Sequence, residues 1–297
     1  MNLQTDSFLE YLKSERNYSP ATIESYAKDL AEFRNFLEGQ RLEPQWADVK
    51  ADDVREWVIY MLDEQKLTAS SVNRKLSALR TCYKYLRKME VVKANPMEKV
   101  VAPKKKRPLP YFVRESDMDK LLELTAEDKT FKGVRDRLIL LMFYETGIRR
   151  AELLGLTDAS VDLKAKQIKV TGKRNKQRIV PFGDELEAGL LAYLDFRKTK
   201  TGLSNAPALF ITEEGKPLNE AQVSRIVKDN LSMVTTMKKR SPHVLRHSFA
   251  TAMLNNKADL TSIQKLLGFE SVATTEVYTH VSFEDLKNEY KNAHPRK

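Results

Sequence analysis

The sequence predicts a mainly α-helical protein of two domains: a helical N-terminal domain and a larger, mostly helical domain with a small antiparallel sheet. Three observations support this fold class. The chain has 297 residues, and about 150 residues is a common domain size. Apolar residues recur at helical spacing along most of the chain. Two short β-branched runs flank a polar turn in the second half, which is typical of a hairpin.

The N-terminal domain is expected to span 1–103 and to be helical throughout. Residues 19–37 begin with Ser19 as a candidate N-cap and Pro20 in the first helical turn, and one apolar face follows. Two more helices are predicted by the same spacing, at 52–64 and 69–88. A segment with prolines and four consecutive cations then predicts an interdomain linker at 104–110.

The second domain is expected to span 111–297 and to combine helices with one hairpin. Helices are predicted by apolar spacing at 115–125, 135–144, 220–231, 242–255, 260–267 and 283–290. Residues 135–144 are nearly all apolar, and we therefore expect this helix to be buried. The runs 167–172 and 177–182 predict the hairpin, and 208–212 is expected to add a third strand.

The composition favours a cytoplasmic protein that binds a polyanion. Lysine and arginine number 51 against 41 acidic residues, and the net charge of +10 lies in 104–297. No apolar run approaches the ~20 residues of a membrane span, and the charged N-terminal segment is unlike a signal peptide. We therefore expect no membrane contact. The single cysteine, Cys82, has no Cys or His cluster around it and is expected to be a small core residue.

One predicted helix carries a basic face without acidic neighbours in sequence. From 65 to 89 there are seven basic residues and no acidic one. Arg80, Lys84 and Arg87 recur at helical spacing opposite the apolar stripe, which suits contacts with nucleic-acid phosphates. The alternative is a solvated face without a ligand.

Two arginines are placed near helix starts together with groups that can orient them. Gly147 breaks a helix directly before Arg149, and Glu152 follows three residues later, where it can reach back to the arginine. A second helix start, with a proline in its first turn, places His243 and Arg246 side by side on one face. The second arginine is thus paired with a histidine.

A lysine and a tyrosine are further candidates for a functional site with these two arginines. Lys173 stands at the predicted hairpin tip, from which a flexible ammonium can reach into a groove. Tyr278 lies in a polar, threonine-rich stretch that follows Gly268, where a helix is expected to end. Each residue alone is unremarkable in such a place, and it is the combination that is specific.

In this order and spacing, the residues resemble those of the tyrosine recombinase (phage integrase) family, and in particular its XerC/XerD-type site-specific recombinases. The match consists of the R-x-x-E of Arg149, the hairpin Lys173, the H-x-x-R of His243 and Arg246, and Tyr278. It extends over nearly the whole chain, and the segments RNYSPATIESYAKDL and SSVNRKLSALRTCYKYL look like that family's core-binding domain. The resemblance implies a core-binding domain at 1–103 and a catalytic domain at 111–297.

The resemblance implies breakage and rejoining of DNA strands through a 3′-phosphotyrosyl intermediate, with no metal and no cofactor. Arg149 and Arg246 would clamp the scissile phosphate in bidentate fashion. Tyr278 would be the nucleophile, and His243 would act as general base or phosphate donor. Lys173 would be the general acid toward the leaving 5′ oxygen.

The resemblance also implies partners. The expected substrate is double-stranded DNA with a recombination site, and the expected role is resolution of chromosome dimers. The residues expected to contact DNA are Arg74, Arg80, Lys84, Arg87 and Lys88, with Arg174 and Lys176 near the hairpin tip. The short C-terminal helix at 283–290 is expected to insert into a neighbouring protomer of a tetrameric synapse, formed with copies of itself or a paralogue. Docking on its own domain is the alternative.

One position departs from the family pattern. After Leu267 and Gly268 the family usually has His or Trp, and this chain has Phe269, which has no hydrogen-bond donor. If the phosphate needed a donor here, the site would be weakened. Alternatively, the aromatic ring packs the segment that carries Tyr278. We expect packing, because the rest of the constellation is intact.

Three other functions are alternatives to site-specific recombination. A metal nuclease is not expected, because the chain has four histidines and no carboxylates cluster with ligand spacing near them. A type IB-like topoisomerase would relax supercoils without synapsis of two sites. A catalytically weak DNA-binding protein of the same fold would form no covalent adduct.

Overall fold

The structure is a computed structural model that describes residues 3–40, 43–104, 111–172, 175–201, 207–268 and 283–296. The chain divides into two compact units, Met1–Pro108 and Leu109–Lys297. The division falls within the linker predicted at 104–110. No helix in the described ranges is long and apolar enough to cross a membrane.

The first unit is helical. Its α-helices are α1 (Leu3–Ser14), α2 (Pro20–Glu38), α3 (Ala51–Asp63) and α4 (Ala69–Lys88). Helix α2 begins at the predicted cap, where the Ser19 hydroxyl accepts a hydrogen bond from the Thr22 amide at 3.3 Å. Helix α1 was not predicted as a separate helix. Its fully buried apolar side chains are Phe8 and Leu12, and two residues are too few to define an apolar face by their spacing.

The core of the first unit is a cluster of aromatic side chains from successive elements. The ring centroid of Phe33 lies 4.8 Å from that of Trp57, and the Tyr83 hydroxyl donates to the Trp46 carbonyl at 3.1 Å. Cys82 is fully buried in this core, and burial raises the pKa of its thiol. The predicted role of Cys82 as a small core residue is confirmed.

The second unit is mainly helical and contains a three-stranded antiparallel sheet. Its helices are α5 (Glu115–Ala126), α6 (Phe131–Thr146), α7 (Arg150–Leu154), α8 (Asp184–Thr201), α9 (Glu220–Ser232), α10 (Pro242–Asn255), α11 (Leu260–Leu267) and α12 (Phe283–Ala293). The strands are β1 (Val161–Asp162), β2 (Gln167–Thr171) and β3 (Gln177–Pro181), in the order β1-β2-β3. The predicted fold class, mainly α with a small antiparallel sheet, is confirmed.

The third strand is not the predicted one. The run 208–212 forms no strand, although Ile211 makes one isolated bridge, and the third strand is β1. The backbone groups of the run are bound elsewhere: Leu209 donates to the Leu156 carbonyl at 2.8 Å and accepts from the Tyr193 hydroxyl at 3.1 Å. This apolar run is therefore buried as core without joining the sheet.

Helix α6 is the centre of the second unit and packs against α8 and α10. Its residues 138–144 are buried, as predicted. Arg135 and Asp136 in its first half are buried too, and they pair with each other at 2.7 Å. Helix α8 is absent from the predicted elements, and it approaches α6 closely: a Cβ added at Gly189 would lie 3.2 Å from Leu138.

The C-terminal helix α12 docks on its own domain, against α10, α11 and β3. Tyr290 and Ala293 are buried there, and the Ala293 carbonyl accepts a 2.8 Å hydrogen bond from Nδ2 of the Asn256 side chain. After the helix, Nε2 of buried His294 lies 3.2 Å from the Tyr144 carbonyl oxygen. Of the two positions expected for this helix, the structure shows docking on its own domain.

Helix α12 also covers a buried carboxyl group. Glu145 on α6 is fully buried and accepts hydrogen bonds from the Gly183 amide at 3.1 Å and the Tyr290 hydroxyl at 3.4 Å. Burial raises the pKa of Glu145 to about 8, with Glu185 adding to the effect and Arg296 opposing it. The carboxyl group is therefore mostly protonated in the folded protein at neutral pH.

Glu145 is expected to make the second unit less stable as the pH rises. The folded state holds a proton that the unfolded state releases above pH 4.5, and this difference persists up to a pH of about 8. The contribution of Glu145 to the free energy of unfolding should therefore fall by at most about 1.4 kcal/mol per pH unit between these values. Glu145→Gln, which mimics the protonated form, should remove most of this slope.

Urea unfolding of the full chain across this pH range measures the effect. Glu123→Gln, at an exposed position of α5, is the matched control and should keep the slope of the unsubstituted protein. Parallel pH dependences for the two variants would show that Glu145 does not titrate as its burial requires.

Candidate active site

The first arginine of the predicted site is held at the junction of α6 and α7. Helix α6 ends at Gly147, whose backbone is left-handed (φ 59°), and a Cβ there would lie 2.7 Å from both Leu267 and Phe249. This turn therefore requires glycine. It brings Arg149 to the N-cap position of α7, where the arginine side chain is 29% exposed.

The Glu152 carboxylate accepts four hydrogen bonds, and two of them orient this arginine. The carboxylate accepts from the Arg149 amide at 2.7 Å and from Arg149 Nη1 at 2.8 Å. Arg178 on β3 supplies two more bonds, at 2.7 and 2.9 Å. Burial alone raises the pKa of Glu152, but the bonds from Arg178 and Arg149 outweigh it and lower the pKa to about 2. With its lone-pair positions filled, Glu152 orients cations and does not carry protons.

The second arginine, Arg246 on α10, is buried and bound to backbone carbonyls. Its Nη1 donates to the Gly147 carbonyl at 2.5 Å, and its Nη2 donates to the Leu267 carbonyl at 2.6 Å. Burial and the neighbouring Arg149 lower the pKa of Arg246 to about 10. Burial has the larger effect, and the part that comes from Arg149 shows that a second positive charge lies close to Arg246.

The two predicted arginines converge on the C-terminal end of α11. Arg246 binds the Leu267 carbonyl, and Arg149 Nη2 donates to the next carbonyl, that of Gly268, at 2.9 Å. Gly268 ends α11 in a left-handed conformation (φ 65°). The structure thus brings together two arginines that the sequence shows in separate motifs.

Sequence reasoning missed Arg178 as a member of this site. Its Nε donates to the Leu266 carbonyl at 2.7 Å, and its side chain is 15% exposed. One signal was present: in a strand, alternate residues share a face, and Arg178 therefore shares one with buried Val180. A cation on the buried face of a strand indicates a buried counter-charge, which here is Glu152.

His243 lies in the first turn of α10, one turn before Arg246, and is exposed. Partial desolvation and the nearby Arg246 lower the pKa of His243 below its usual 6.5. The imidazole is therefore neutral at pH 7, the form that can accept a proton.

Four predicted site residues lie outside the described ranges: Lys173, Arg174, Phe269 and Tyr278. Two described residues that precede these segments, Gly172 before Lys173 and Gly268 before Phe269, lie at the arginine cluster. A Cβ added at Gly172 would lie 3.2 Å from the Glu152 carboxylate, and the Gly268 carbonyl binds Arg149. In sequence, Gly172 is therefore followed directly by Lys173, and Gly268 is followed directly by the segment that contains Tyr278.

The predicted basic face of α4 is partly neutralised by acidic side chains from elsewhere in the first unit. Ion pairs join Arg74 to Asp29, Lys75 to Asp29 and Glu32, Arg87 to Glu98, and Lys88 to Glu15. Arg80 donates to the Val100 carbonyl at 3.3 Å, whereas Lys84 is exposed and has no partner among the described side chains. These acidic residues lie outside 65–89 in the sequence, so the charge pattern of that segment does not show them. Lys176, in the hairpin of the second unit, is exposed.

Comparison with known sequences places the chain among recombinases. The profile described as "Phage integrase family" matches residues 111–285, and "Phage integrase, N-terminal SAM-like domain" matches 5–90. "Tyrosine recombinase XerC" of Staphylococcus epidermidis is 38% identical over 291 residues, covering 98% of this chain and 97% of the relative. The protein of the same name from Staphylococcus aureus is 39% identical over 296 residues, covering 100% and 98%.

Solved structures share the fold at lower identity. XerH site-specific recombinase bound to difH substrate, in a pre-cleavage complex, superposes with a TM-score of 0.70 at 23% identity and covers 96% of this chain and 82% of that chain. A lambda integrase dimer bound to a core site gives a TM-score of 0.70 at 17% identity, covering 91% and 96%. At these identities the likeness concerns the fold.

Proposed function

The chain belongs to the phage integrase family and is a tyrosine recombinase, an enzyme of site-specific DNA recombination, and from this premise we propose which of its residues cut and rejoin the DNA strand. Arg149 and Arg246 bind the scissile phosphate. Tyr278 is the nucleophile, Lys173 is the general acid, and His243 is a proton acceptor.

The observation that carries this proposal is the excess of positive charge at the end of α11. Three guanidinium groups, those of Arg149, Arg178 and Arg246, are grouped with the single Glu152 carboxylate. Two positive charges therefore remain uncompensated among these four groups. A phosphodiester anion would supply the missing charge, and the transition state, which bears more negative charge, would be bound more tightly still.

Arg149 retains hydrogen-bond donors for that anion. A guanidinium has five N–H groups in one plane. The Arg149 side chain uses Nη1 for Glu152 and Nη2 for the Gly268 carbonyl, so its other N–H groups are held in a fixed plane and remain available for phosphate oxygens. This geometry favours the planar, paired recognition that arginine provides and lysine does not.

The reaction proceeds in two balanced steps. The Tyr278 oxygen bonds to phosphorus as the bond to the 5′ oxygen breaks; the phenolic proton passes to His243 or to solvent, and Lys173 gives a proton to the leaving oxygen. In the second step a 5′ hydroxyl of another strand bonds to phosphorus as the bond to the Tyr278 oxygen breaks; the hydroxyl proton passes to Lys173, and the tyrosine oxygen takes a proton from His243 or from solvent. The number of phosphoester bonds is conserved throughout, and no ATP is required.

The proposed substrate is double-stranded DNA with a recombination site, bound in a tetrameric synapse of this chain with itself or with a paralogue. The name of the XerC relatives supports resolution of chromosome dimers as the biological role, which would take place in the cytoplasm. In this synapse α12 would leave its own domain and uncover the surface that Tyr290 occupies. A closed ring of protomers would refill each vacated surface with a neighbour's helix.

The proposal is tested on DNA that the protein itself selects. Duplexes bound from a random-sequence pool are recovered, the cleaved bond is mapped, and plasmids with two copies of the site are assayed for recombination and for supercoil relaxation without ATP. Recombinant products are expected. Relaxation without recombination would indicate a type IB-like topoisomerase, and the absence of any covalent adduct would indicate a DNA-binding protein without catalysis.

Lys84→Gln is expected to weaken DNA binding to all sequences alike, because an exposed ammonium on α4 contributes one phosphate contact. The plot of the logarithm of the DNA-binding constant against the logarithm of the salt concentration has a negative slope, and this slope should become shallower by about 0.9. Fluorescence anisotropy with a duplex of mixed sequence measures both effects, with Lys13→Gln on α1 as the surface control. An unchanged slope in Lys84→Gln would assign this lysine to solvent.

A further inference from the structure

Three arginines from three different elements bind three consecutive carbonyls at the end of α11. The Leu266 carbonyl accepts from Arg178 on β3 at 2.7 Å. The next two carbonyls, those of Leu267 and Gly268, accept from Arg246 and Arg149 at 2.6 and 2.9 Å. The C-terminal end of a helix bears partial negative charge, which favours cations there. Arg149 and Arg246 have been assigned to the phosphate, and Arg178 has not.

Arg178 closes a ring of hydrogen bonds that begins and ends on this helix end. From the Leu266 carbonyl the ring runs through Arg178 to Glu152, from Glu152 to Arg149, and from Arg149 back to the Gly268 carbonyl. The packing is close, since a Cβ added at Gly268 would lie 3.0 Å from the Arg178 guanidinium. Arg178 and Arg149 are thereby fixed relative to each other by one shared carboxylate.

We propose that Arg178 is a positioning residue for strand cleavage, which holds Arg149 through Glu152 and the last turn of α11 through the Leu266 carbonyl. This role rests on the proposed function of Arg149 and Tyr278. Arg178 has no bond to the phosphate in this scheme. It fixes the relation between the phosphate-binding guanidinium and the point where the chain enters the segment containing Tyr278.

The chemistry of arginine is required for this role. Arg178 binds both oxygens of Glu152 through Nη1 and Nη2 while its Nε binds the Leu266 carbonyl. A lysine ammonium is a single point donor and cannot reproduce three bonds in one plane. Arg178→Lys therefore keeps the charge and breaks the ring, which separates positioning from simple electrostatics.

A matched control exists on α8. Arg197 is also buried, pairs with the Asp158 carboxylate and donates to the Leu209 carbonyl at 3.1 Å. Its bonds resemble those of Arg178, but none of these partners binds a site residue. Arg197→Lys should therefore lower stability without changing the chemistry of cleavage.

The experiment is single-turnover cleavage by the full chain of a nicked duplex that carries the selected site. Arg178→Lys should lower the maximal cleavage rate by about 10- to 100-fold, the size expected when a catalytic group is slightly misplaced. The protein concentration at half-saturation should change less than about threefold, because DNA binding itself is retained. Arg197→Lys should cleave at the unsubstituted rate even if its melting temperature falls.

A double-mutant cycle with Glu152→Gln tests the route of the effect. If Arg178 acts through Glu152, the double variant should cleave no more slowly than the slower single variant. Multiplied losses would show that the two residues act independently and would overturn the proposal. So would an unchanged rate in Arg178→Lys, or a loss expressed in half-saturation, which would make Arg178 a DNA-binding residue.

Two controls keep the outcomes separate. Circular dichroism and thermal melting establish that each variant is folded at the assay temperature, and Glu152→Gln, an isosteric change, breaks the same ring if Arg178→Lys does not fold. If the unsubstituted chain forms no adduct, the proposed cleavage function is itself wrong. If it cleaves and both ring variants cleave equally well, only the role of Arg178 is wrong.

Discussion

Tyr278→Phe is expected to bind DNA as the unsubstituted protein does and to form no covalent protein–DNA adduct. The substitution removes one atom, the phenolic oxygen, which forms the bond to phosphorus in the proposed mechanism. The adduct is measured by denaturing electrophoresis of a nicked, end-labelled duplex after incubation with saturating protein. Binding is measured on the same duplex by anisotropy.

A surviving adduct would require another nucleophile, and the structure restricts the choice. Of the four other tyrosines after the linker, Tyr144, Tyr193 and Tyr290 are buried, and burial raises the pKa of each. Tyr111 remains as the partly exposed one. Tyr111→Phe is therefore the matched control, and it should leave the amount of adduct unchanged.

Arg246→Lys is expected to lower the cleavage rate by about 10²-fold or more. Arg246 is buried and holds the Gly147 and Leu267 carbonyls, so its guanidinium plane is fixed by backbone atoms of two different elements. A lysine ammonium has no such plane and cannot hold both carbonyls while it also binds two phosphate oxygens. The rate is measured under single-turnover conditions with the nicked duplex.

The same loss is expected for Arg149→Lys, and a buried arginine elsewhere provides the control. Arg135 on α6 is 6% exposed against 7% for Arg246, and it donates to Asp136 and to the Ile211 carbonyl. Arg135→Lys should reduce stability but not the cleavage rate. Losses of about tenfold or less in both site variants would indicate that the arginines act only by charge.

Local signals in the sequence predicted most helices well. Helices α4, α10 and α11 have the predicted bounds. Side chains of Thr68 and Asp259 cap the starts of α4 and α11, a proline lies in the first turn of α10, and Gly268 follows α11. Helix α8 carries an acidic first turn and apolar residues at helical spacing, so its signal was present and was missed. The prediction of a strand at 208–212 was wrong, because an apolar β-branched run does not show whether its backbone will bind a neighbouring strand or other groups in the core.

The site could be predicted only in part, because sequence spacing reports neighbours within one element. The Arg149–Glu152 pair is separated by three residues and was predicted, and it is present at 2.8 Å. The bond from Arg178 to Glu152 spans β3 and α7, and no spacing rule connects these elements. Likewise, the carboxylate of Asp29 that binds Arg74 lies on α2, outside the basic run of α4. Both contacts depend on packing that the sequence pattern does not encode locally.

The end of α11 has a consequence for which changes in length the chain tolerates. All three arginines bind carbonyl oxygens there, and a carbonyl is present whatever side chain a residue carries. Exchanges of Leu266 or Leu267 for other apolar residues of similar volume therefore leave the bonding atoms in place. An insertion or deletion of one residue within Leu260–Leu267 rotates every following carbonyl by about 100° around the helix axis and moves it away from its arginine. We therefore expect homologous chains to vary in composition at this helix end while the number of residues between the N-cap, Asp259, and the terminal glycine, Gly268, stays constant.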